Sequence, residues 1–259
     1  SQIGRNVPVE VPLQGDAKSI LQSLVPLVKN VARPAWMAYI NETRDSHPSL
    51  AIPSSENLQA QEVLVEINRL IQENPETVVV TGVGQHQMWA AQFLEFNNSN
   101  TFVSSGGLGT MGFELPAAMG AQLGRPGAPV WSIAGDGGFQ MTLQELATVA
   151  QEKMPLKIAL FNNGILGMIR QWQELFFEQH LKETPIPGPD YVKLANSFGI
   201  PAVNVSHQED VMPALRAANA EDGPYLIEFV VDSESHVYPM VPPGGGLGDT
   251  LEDPLTRVQ

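Results

Sequence analysis

Short runs of apolar residues recur along this chain without the polar alternation of a half-exposed strand. The clearest runs are 129–134 (PVWSIA) and 157–161 (KIALF). A strand with one face in water alternates apolar and polar residues, whereas a strand covered on both faces is apolar throughout. Because helical patterns separate these runs, the sequence predicts an α/β fold, a doubly wound parallel sheet with helices on both faces.

The predicted elements alternate regularly over most of the chain. Predicted strands lie near 78–81, 101–103, 129–134, 157–161, 202–205 and 224–231. Predicted helices lie near 16–25, 86–95, 112–123, 141–152, 165–178, 190–198 and 208–219, and another carries Val63, Ile67, Leu70 and Ile71 on one face. In such sheets ligands bind beyond the carboxyl ends of the strands, so site residues are expected directly after the apolar runs.

The first part of the chain has a different character. Prolines divide it into short pieces, with one helix predicted from Asp16 as its N-cap. The polar stretch Thr43 to Glu56 is predicted to be a linker or surface loop, and the regular pattern begins at Asn57. We therefore predict two parts, residues 1–56 and residues 57–259.

Charge and composition exclude several classes of partner. The formal net charge is −14, which disfavours both nucleic acid and anionic lipid. The chain has no cysteine and no stretch of about 18 apolar residues, so neither a disulfide framework nor a membrane span is expected. Residues 1–10 lack the pattern of a signal peptide. These features predict a cytoplasmic enzyme.

Two oxygen-bearing side chains follow neighbouring apolar runs. Asp136 lies in a Gly-Asp-Gly sequence after 129–134, and Asn163 follows 157–161. Magnesium prefers oxygen ligands and is usually held by one or two protein donors plus phosphate oxygens. Each element alone is also typical of an ordinary turn or helix cap. Their joint occurrence at two strand ends, beside glycines that let the backbone approach phosphate, predicts a magnesium diphosphate site.

Two glycine-rich loops accompany this pair. Residues 82–87 (GVGQHQ) follow a strand and open a helix, where backbone N–H groups attract anions. Residues 104–112 (SSGGLGTMG) form the second loop. Taken alone, His86 would more often be a capping or packing residue and Met111 a gap-filling core side chain.

An apolar pair lies on the helix that follows Asn163. Met168 and Trp172 are four residues apart and therefore share one helix face. Such a pair usually belongs to the core. Its proximity to Asn163 makes a substrate pocket an equally serious interpretation.

These motifs together resemble those of thiamin diphosphate enzymes. The diphosphate motif of that family corresponds to Gly-Asp-Gly, 24 intervening residues and Asn-Asn. Longer stretches are similar to the catalytic subunit of acetohydroxyacid (acetolactate) synthase: 81–90, 104–118, 166–172 and the tail 236–247. The likeness covers roughly 60–259, and residues 1–56 resemble the end of that family's central domain plus a linker.

The resemblance implies a role for particular residues. It implies metal ligation by Asp136, Asn163 and the main-chain oxygen of Ile165. It implies cofactor contacts by Gly84, Gln85, His86, Gly109, Met111, Gly135, Asp136, Gly137, Gly138, Asn163 and Met168. Among these, the Gly109 carbonyl would face the aminopyrimidine and Met111 would hold the cofactor bent. It implies a pocket for the second keto acid formed by Met168, Ile169 and Trp172, capped by the tail from Val237.

The implied activity is a transferase reaction of branched-chain amino acid biosynthesis. Enzymes of this kind decarboxylate pyruvate on thiamin diphosphate and Mg²⁺, then join the two-carbon unit to a second 2-keto acid. They are flavoproteins whose FAD lies mainly against the central domain. They form homodimers or tetramers, and the resemblance leaves room for a regulatory subunit.

The glutamate that activates the cofactor lies, in this family, in the N-terminal domain of a neighbouring subunit. No such domain fits before residue 60, so no catalytic residue is expected in this chain, which is interpreted as a fragment or half of a split enzyme. Two alternatives stay open. The chain could be a cofactor-binding or assembly module without activity of its own, or part of another thiamin diphosphate carboligase, decarboxylase or oxidase.

Two positions depart from the family pattern. Gly138 replaces a common serine, and Glu114 replaces a common small residue. A carboxylate in the first turn of a helix suits the helix dipole. The sequence therefore predicts that Glu114 is a tolerated variation.

Overall fold

A computed structural model describes residues 2–5, 7–47 and 50–254. Contacts between residues divide the chain into two units, Ser1–Ser46 and His47–Gln259. A boundary after residue 56 stays a prediction. Within the described residues, no helix has both the length and the apolar character needed to cross a bilayer.

The described residues of the first unit form two α-helices and a short 3₁₀ helix, Val25–Leu27, and none of these buries a side chain. Helix α1 spans Ala17–Leu24, and the Asp16 carboxylate caps it by accepting a hydrogen bond from the Ser19 N–H at 2.9 Å. Helix α2, Pro34–Ser46, did not emerge from the sequence, and it includes the start of the stretch expected to be a loop. A proline is tolerated in the first turn of a helix because that turn needs no N–H donor, so Pro34 begins a helix here.

The second unit is built on a six-stranded sheet in which every pair of neighbours is parallel. The strands are β1 Val78–Thr81, β2 Phe102–Ser104, β3 Val130–Gly135, β4 Lys157–Asn162, β5 Ala202–Val205 and β6 Tyr225–Val230. Their order across the sheet is β2-β1-β3-β4-β6-β5. The predicted doubly wound parallel fold is confirmed.

Helices cover both faces of this sheet. They are α3 Ala60–Glu73, α4 Gln85–Phe93, α5 Glu114–Gly124, α6 Asp136–Thr142, α7 Leu146–Gln151, α8 Gly167–Phe176, α9 Tyr191–Ser197 and α10 Gln208–Ala220. Trp131 and Ile133 of β3 join the core beneath α3, α4 and α10, while Val130 and Ala134 join the core beneath α5, α7 and α9. Both sets are buried, which explains why the strand sequences do not alternate.

The next two strands of the chain pair with opposite sides of β1. The next strand, β2, lies on one side of β1, and β3 lies on the other. Connections that diverge in this way open a crevice at the carboxyl ends of the strands, where such folds bind ligands.

The helix expected at 141–152 is divided, because α6 already begins at Asp136 and a 3₁₀ turn, Leu143–Glu145, separates it from α7. Asp136 is thus the first residue of a helix rather than the middle of a free turn.

Candidate functional site

A cavity lies beyond the carboxyl ends of β1, β3 and β4. Most of the residues singled out in the sequence line it: Gly84, Gln85, His86, Met111, Gly135, Asp136, Gly137, Gly138, Asn163, Ile165, Met168 and Ile169. Gly109 is not among the lining residues, and a Cβ placed on it would lie 4.0 Å from Val83 at the rim. Its predicted role toward the cofactor stays a prediction.

The Asp136 carboxylate lies at the start of α6, almost buried. Its Oδ1 accepts a hydrogen bond from the Gly137 N–H at 2.9 Å, and its Oδ2 accepts one from the Gly164 N–H at 2.8 Å. Burial raises the pKa of Asp136 to about 6, and the nearby negative charge of Glu228 adds to that increase. Each oxygen keeps a lone pair for a cation, and a bound cation would favour the charged carboxylate.

Asn163 follows β4 and lines the same cavity. Its Oδ1 accepts a hydrogen bond from the Ile165 N–H at 3.2 Å, which shapes the turn after the strand. Main-chain bonds with residues 184–186 hold that turn on both sides, from the Ile186 N–H to Gly164 and from the Leu166 N–H to Thr184. The described residues contain no cluster of three or more His, Cys, Asp or Glu groups able to hold a metal. A cation here would therefore depend on carboxylate, amide and main-chain oxygens.

The His86 ring lies in the first turn of α4 and is 6% exposed. Its Nε2 is buried without a hydrogen-bond partner among the described residues. Burial lowers the pKa of His86 to about 4, so the ring is neutral at pH 7. A Cβ on Gly135 would lie 2.7 Å from the ring. Only glycine, which has no Cβ, lets the backbone approach the ring this closely. A neutral imidazole with a free ring nitrogen, at a helix N-terminus, suits an anionic ligand.

Gln85 faces the site with its side-chain oxygen, whereas a donor to phosphate would face it with the NH₂ group. Its Nε2 donates to Gln171 Oε1 at 3.1 Å and to the Ser235 carbonyl at 2.9 Å. Both amide hydrogens are therefore used away from the cavity, and Oε1 faces Asn163 Nδ2 at 3.5 Å. In this arrangement Gln85 orients Asn163, and a contact with phosphate would have to come from its main chain.

Glu114 is a buried residue whose environment the sequence did not indicate. Its side chain is fully buried at the start of α5, and neither carboxyl oxygen has a hydrogen-bond partner of regular geometry among the described residues. The oxygens lie close to where Cβ atoms of Gly82 and Gly138 would stand, at 2.2 and 2.9 Å. Burial raises the pKa of Glu114 to about 7. The sequence signal was a charged residue two positions after the second glycine-rich loop, where a small residue is common in the family.

A second, more apolar cleft opens along α8. It is lined by Met168, Ile169, Trp172, Gln173, Phe177 and His180. Met168 and Ile169 line both cavities, so the cleft adjoins the first cavity. Met168 and Trp172 share this surface, as their spacing indicated.

The tail crosses α4 and α8 through contacts with their side chains. Gln171, fully buried on α8, accepts from the Val237 N–H at 2.8 Å and donates to the Val237 carbonyl at 2.9 Å. His236 pairs with Glu174 at 2.6 Å, and Gln92 donates to the Tyr238 carbonyl at 2.9 Å. These contacts attach the tail beside the first cavity.

Comparison with known families decides between the interpretations of this fold. Residues 82–229, more than half of the chain, match the family described as "Thiamine pyrophosphate enzyme, C-terminal TPP binding domain". The chain belongs to this family. Thiamine pyrophosphate is another name for thiamin diphosphate, and the matched residues include both strand ends that carry Asp136 and Asn163.

Among thiamin diphosphate enzymes, the relatives that this domain matches are acetolactate synthases. The chain is 43% identical over 256 residues to the acetolactate synthase of Mycobacterium avium, which covers 94% of this chain and 41% of that protein. It is 40% identical over 243 residues to the acetolactate synthase isozyme 2 large subunit of Escherichia coli K12, covering 93% and 43%. The chain is thus homologous to acetolactate synthase large subunits and spans about two fifths of their length.

A solved structure shares the fold. The thiamine diphosphate-dependent 4-hydroxybenzoylformate decarboxylase of Rhodococcus jostii RHA1 superimposes with a TM-score of 0.64 at 26% identity. The match covers 70% of this chain and 34% of that one. Both comparisons agree with the predicted thiamin diphosphate-binding fold.

Proposed function

We propose that this chain is the diphosphate-binding part of an acetolactate synthase, which decarboxylates pyruvate and ligates the two-carbon unit to a second 2-keto acid. The observation that carries the proposal is the approach of Asp136 and Asn163 to one cavity, at the ends of neighbouring strands. The similarity to acetolactate synthase large subunits supports the same conclusion.

The residues present fit Mg²⁺ and a diphosphate. Asp136 and Asn163 supply the side-chain oxygens, Ile165 lines the cavity and would add its main-chain oxygen, and diphosphate oxygens would complete the cation's shell. When bound, thiamin diphosphate supplies the carbanion-stabilising chemistry. The protein's contribution is then to bind, orient and exclude water.

Individual residues would divide that work. The glycines at 135, 137 and 138 let the backbone approach the diphosphate. The unpartnered His86 ring nitrogen would donate to it, and Met111 would contact the body of the cofactor. The apolar cleft around Met168, Ile169 and Trp172 would accept the aliphatic part of the second keto acid.

The proposed enzyme needs groups beyond those in the cavity. Among the described residues that line the cavity, Asp136 is the only carboxylate, and it would serve as a ligand of the cation. The resemblance to acetolactate synthases implies that the activating glutamate comes from the N-terminal domain of a neighbouring subunit in a dimer or tetramer. FAD, a regulatory subunit and a cytoplasmic location belong to the same proposal.

A cofactor-binding module without activity of its own is a second candidate. The same absence of a further carboxylate from the cavity lining favours it. Acetolactate formation separates the candidates when the chain is mixed with a polypeptide that carries the N-terminal domain of an acetolactate synthase large subunit and is assayed with pyruvate, Mg²⁺ and thiamin diphosphate. Turnover in that mixture would refute the module, and its absence would refute the enzyme.

Replacing Asp136 tests the cation site directly. We expect Asp136→Ala to weaken Mg²⁺-dependent binding of thiamin diphosphate at least tenfold, roughly the loss of one charged ligand contact. The cofactor titration can follow the tryptophan fluorescence of the chain, to which Trp89 in the cavity lining contributes. Asp210→Ala, an exposed carboxylate in the first turn of α10, is the control and should bind normally. Unchanged affinity in Asp136→Ala, with the fold intact by circular dichroism, would contradict the proposed function.

A further inference from the structure

A buried carboxylate outside the cavity connects to the candidate cation site through hydrogen bonds. Glu228 lies on β6 and is 7% exposed. Its Oε1 accepts from Asn162 Nδ2 at 2.7 Å, and its Oε2 accepts from Asn204 Nδ2 at 2.9 Å. Among the described residues, no lysine or arginine forms an ion pair with it. Two neutral amides on the neighbouring strands β4 and β5 are its partners.

The bond to Glu228 determines which way the Asn162 amide faces. Since Nδ2 is directed at the carboxylate, Oδ1 is directed at the turn after β4, where it accepts from the Gly164 N–H at 3.1 Å. The same N–H also donates to Asp136 Oδ2 at 2.8 Å. Gly164 has a φ of 70°, a conformation that favours glycine. The hydrogen bonds therefore run without a break from Glu228 through Asn162 and Gly164 to Asp136.

This path runs through Asn162 and Gly164, the two residues that flank the proposed ligand Asn163. A reversed Asn162 amide would direct its NH₂ group at the Gly164 N–H, opposing donor to donor. The turn that carries Asn163 and Ile165 would then lose its fixed geometry. The outer partners of metal ligands commonly control affinity in this way, without touching the metal.

The negative charge of Glu228 also affects the candidate cation site. A buried carboxylate without a cationic partner is costly in a folded protein. Its hydrogen bond to Asn162, the last residue of β4, places this charge at the end of the strand that precedes Asn163. A divalent cation between the ends of β3 and β4 would be attracted by both carboxylates.

We propose that Glu228 is a positioning residue for the cation site, fixing the Asn162–Gly164 turn by hydrogen bonding and strengthening cation binding by its charge. This inference rests on the proposed function, because it takes the Asp136 and Asn163 site to hold a divalent cation. Glu228 itself touches neither the cation nor the cofactor.

The first variant is Glu228→Gln, which preserves shape while removing the charge and turning one acceptor into a donor. Either Asn162 or Asn204 would then face the new NH₂ group with its own. We expect the affinity for Mn²⁺, measured by electron paramagnetic resonance with saturating thiamin diphosphate, to fall about tenfold or more.

Two double variants separate hydrogen bonding from charge. Adding Asn162→Asp to Glu228→Gln lets every donor meet an acceptor again and moves the charge toward the cation. Adding Asn204→Asp instead also satisfies every donor but moves the charge away, to an exposed position on β5. Urea unfolding without cofactor should show both pairs more stable than Glu228→Gln. Mn²⁺ affinity should recover fully only in the pair that contains Asn162→Asp.

Each outcome bears on a different statement. Equal Mn²⁺ affinity in wild type and Glu228→Gln would overturn this inference while leaving the proposed function standing. Equal recovery of Mn²⁺ affinity in both double variants would overturn the role of the charge and reduce Glu228 to a structural residue. Failure of the wild-type chain to bind Mn²⁺ with thiamin diphosphate would overturn the proposed function and this inference with it. The expected order of affinities supports both.

Discussion

Replacing Glu114 by glutamine should stabilise the protein, and increasingly so as the pH rises. The carboxyl is fully buried between Gly82 and Gly138, without a regular hydrogen-bond partner among the described residues. Burial raises its pKa from 4.5 to about 7. Folding therefore favours the protonated form, and an ionised Glu114 is penalised in the folded state.

The sign and size of the effect follow from that pKa. Below pH 4.5 Glu114 is protonated in both states, so its ionisation costs nothing. As the pH rises to about 7, the unfolded chain loses this proton first and the folded protein loses stability. At about 1.4 kcal/mol per pH unit, the shift from 4.5 to about 7 corresponds to a loss of about 3.5 kcal/mol, most of which falls between pH 4.5 and 8. A neutral glutamine of the same shape does not pay it.

Urea unfolding between pH 4.5 and 8, without cofactor, measures this difference. We expect the free energy of unfolding of Glu114→Gln, relative to wild type, to increase by about 3 kcal/mol across that range. Asp136 and His86 also titrate, but they are common to both proteins and cancel in the difference. Glu152→Gln, at an exposed position, is the control and should show no such increase. A difference between Glu114→Gln and wild type that stays constant with pH would refute the reasoning.

Two further predictions concern α8. Trp172→Leu should change the preference between 2-keto acids in competition assays and leave the affinity for thiamin diphosphate unchanged, because Trp172 lines only the apolar cleft. A large loss of cofactor affinity would contradict the assignment of Trp172 to the cleft alone. Gln171→Leu should cost about 2–5 kcal/mol in urea unfolding, since it leaves buried groups of Gln85 and Val237 without partners. Limited proteolysis should then cut the tail sooner than in wild type or in the control Gln208→Leu, an exposed position at the start of α10. Equal protection of the tail would exclude the proposed attachment.

The parts of the fold that the sequence predicted are those that depend on local pattern. Each strand of the sheet was expected near its observed position, and the clearest cases were β3 and β4, where burial on both faces leaves a continuous apolar run. The site followed from the same argument, since Asp136 and Asn163 end neighbouring strands. The extent of α6 was not predicted, because the glycines beside Asp136 are typical of a turn and conceal a helix start. Helix α2 was missed because its first residue, Pro34, was taken as a break.

Contacts between distant residues left no local pattern to find. Gln85 and Gln171 are 86 positions apart, and their bond decides which atom of Gln85 faces Asn163. Glu228 looked like an ordinary strand residue until the register of β4, β5 and β6 placed two asparagines beside it. Hydrogen-bond partners of this kind are set by tertiary geometry, which composition and periodicity do not encode.

The electrostatics of the strand ends relate these residues to each other. Asp136 and Glu228 lie near the proposed cation, each is largely buried, and no cationic side chain pairs with either among the described residues. Binding a divalent cation would compensate both charges, so cation binding and folding should be coupled. Glu114 lies behind Gly138, on the proposed diphosphate side, where a negative charge would oppose an anion. A neutral Glu114 and an ionised Asp136 are therefore the combination that suits a magnesium diphosphate, and burial together with the bound cation favours that combination.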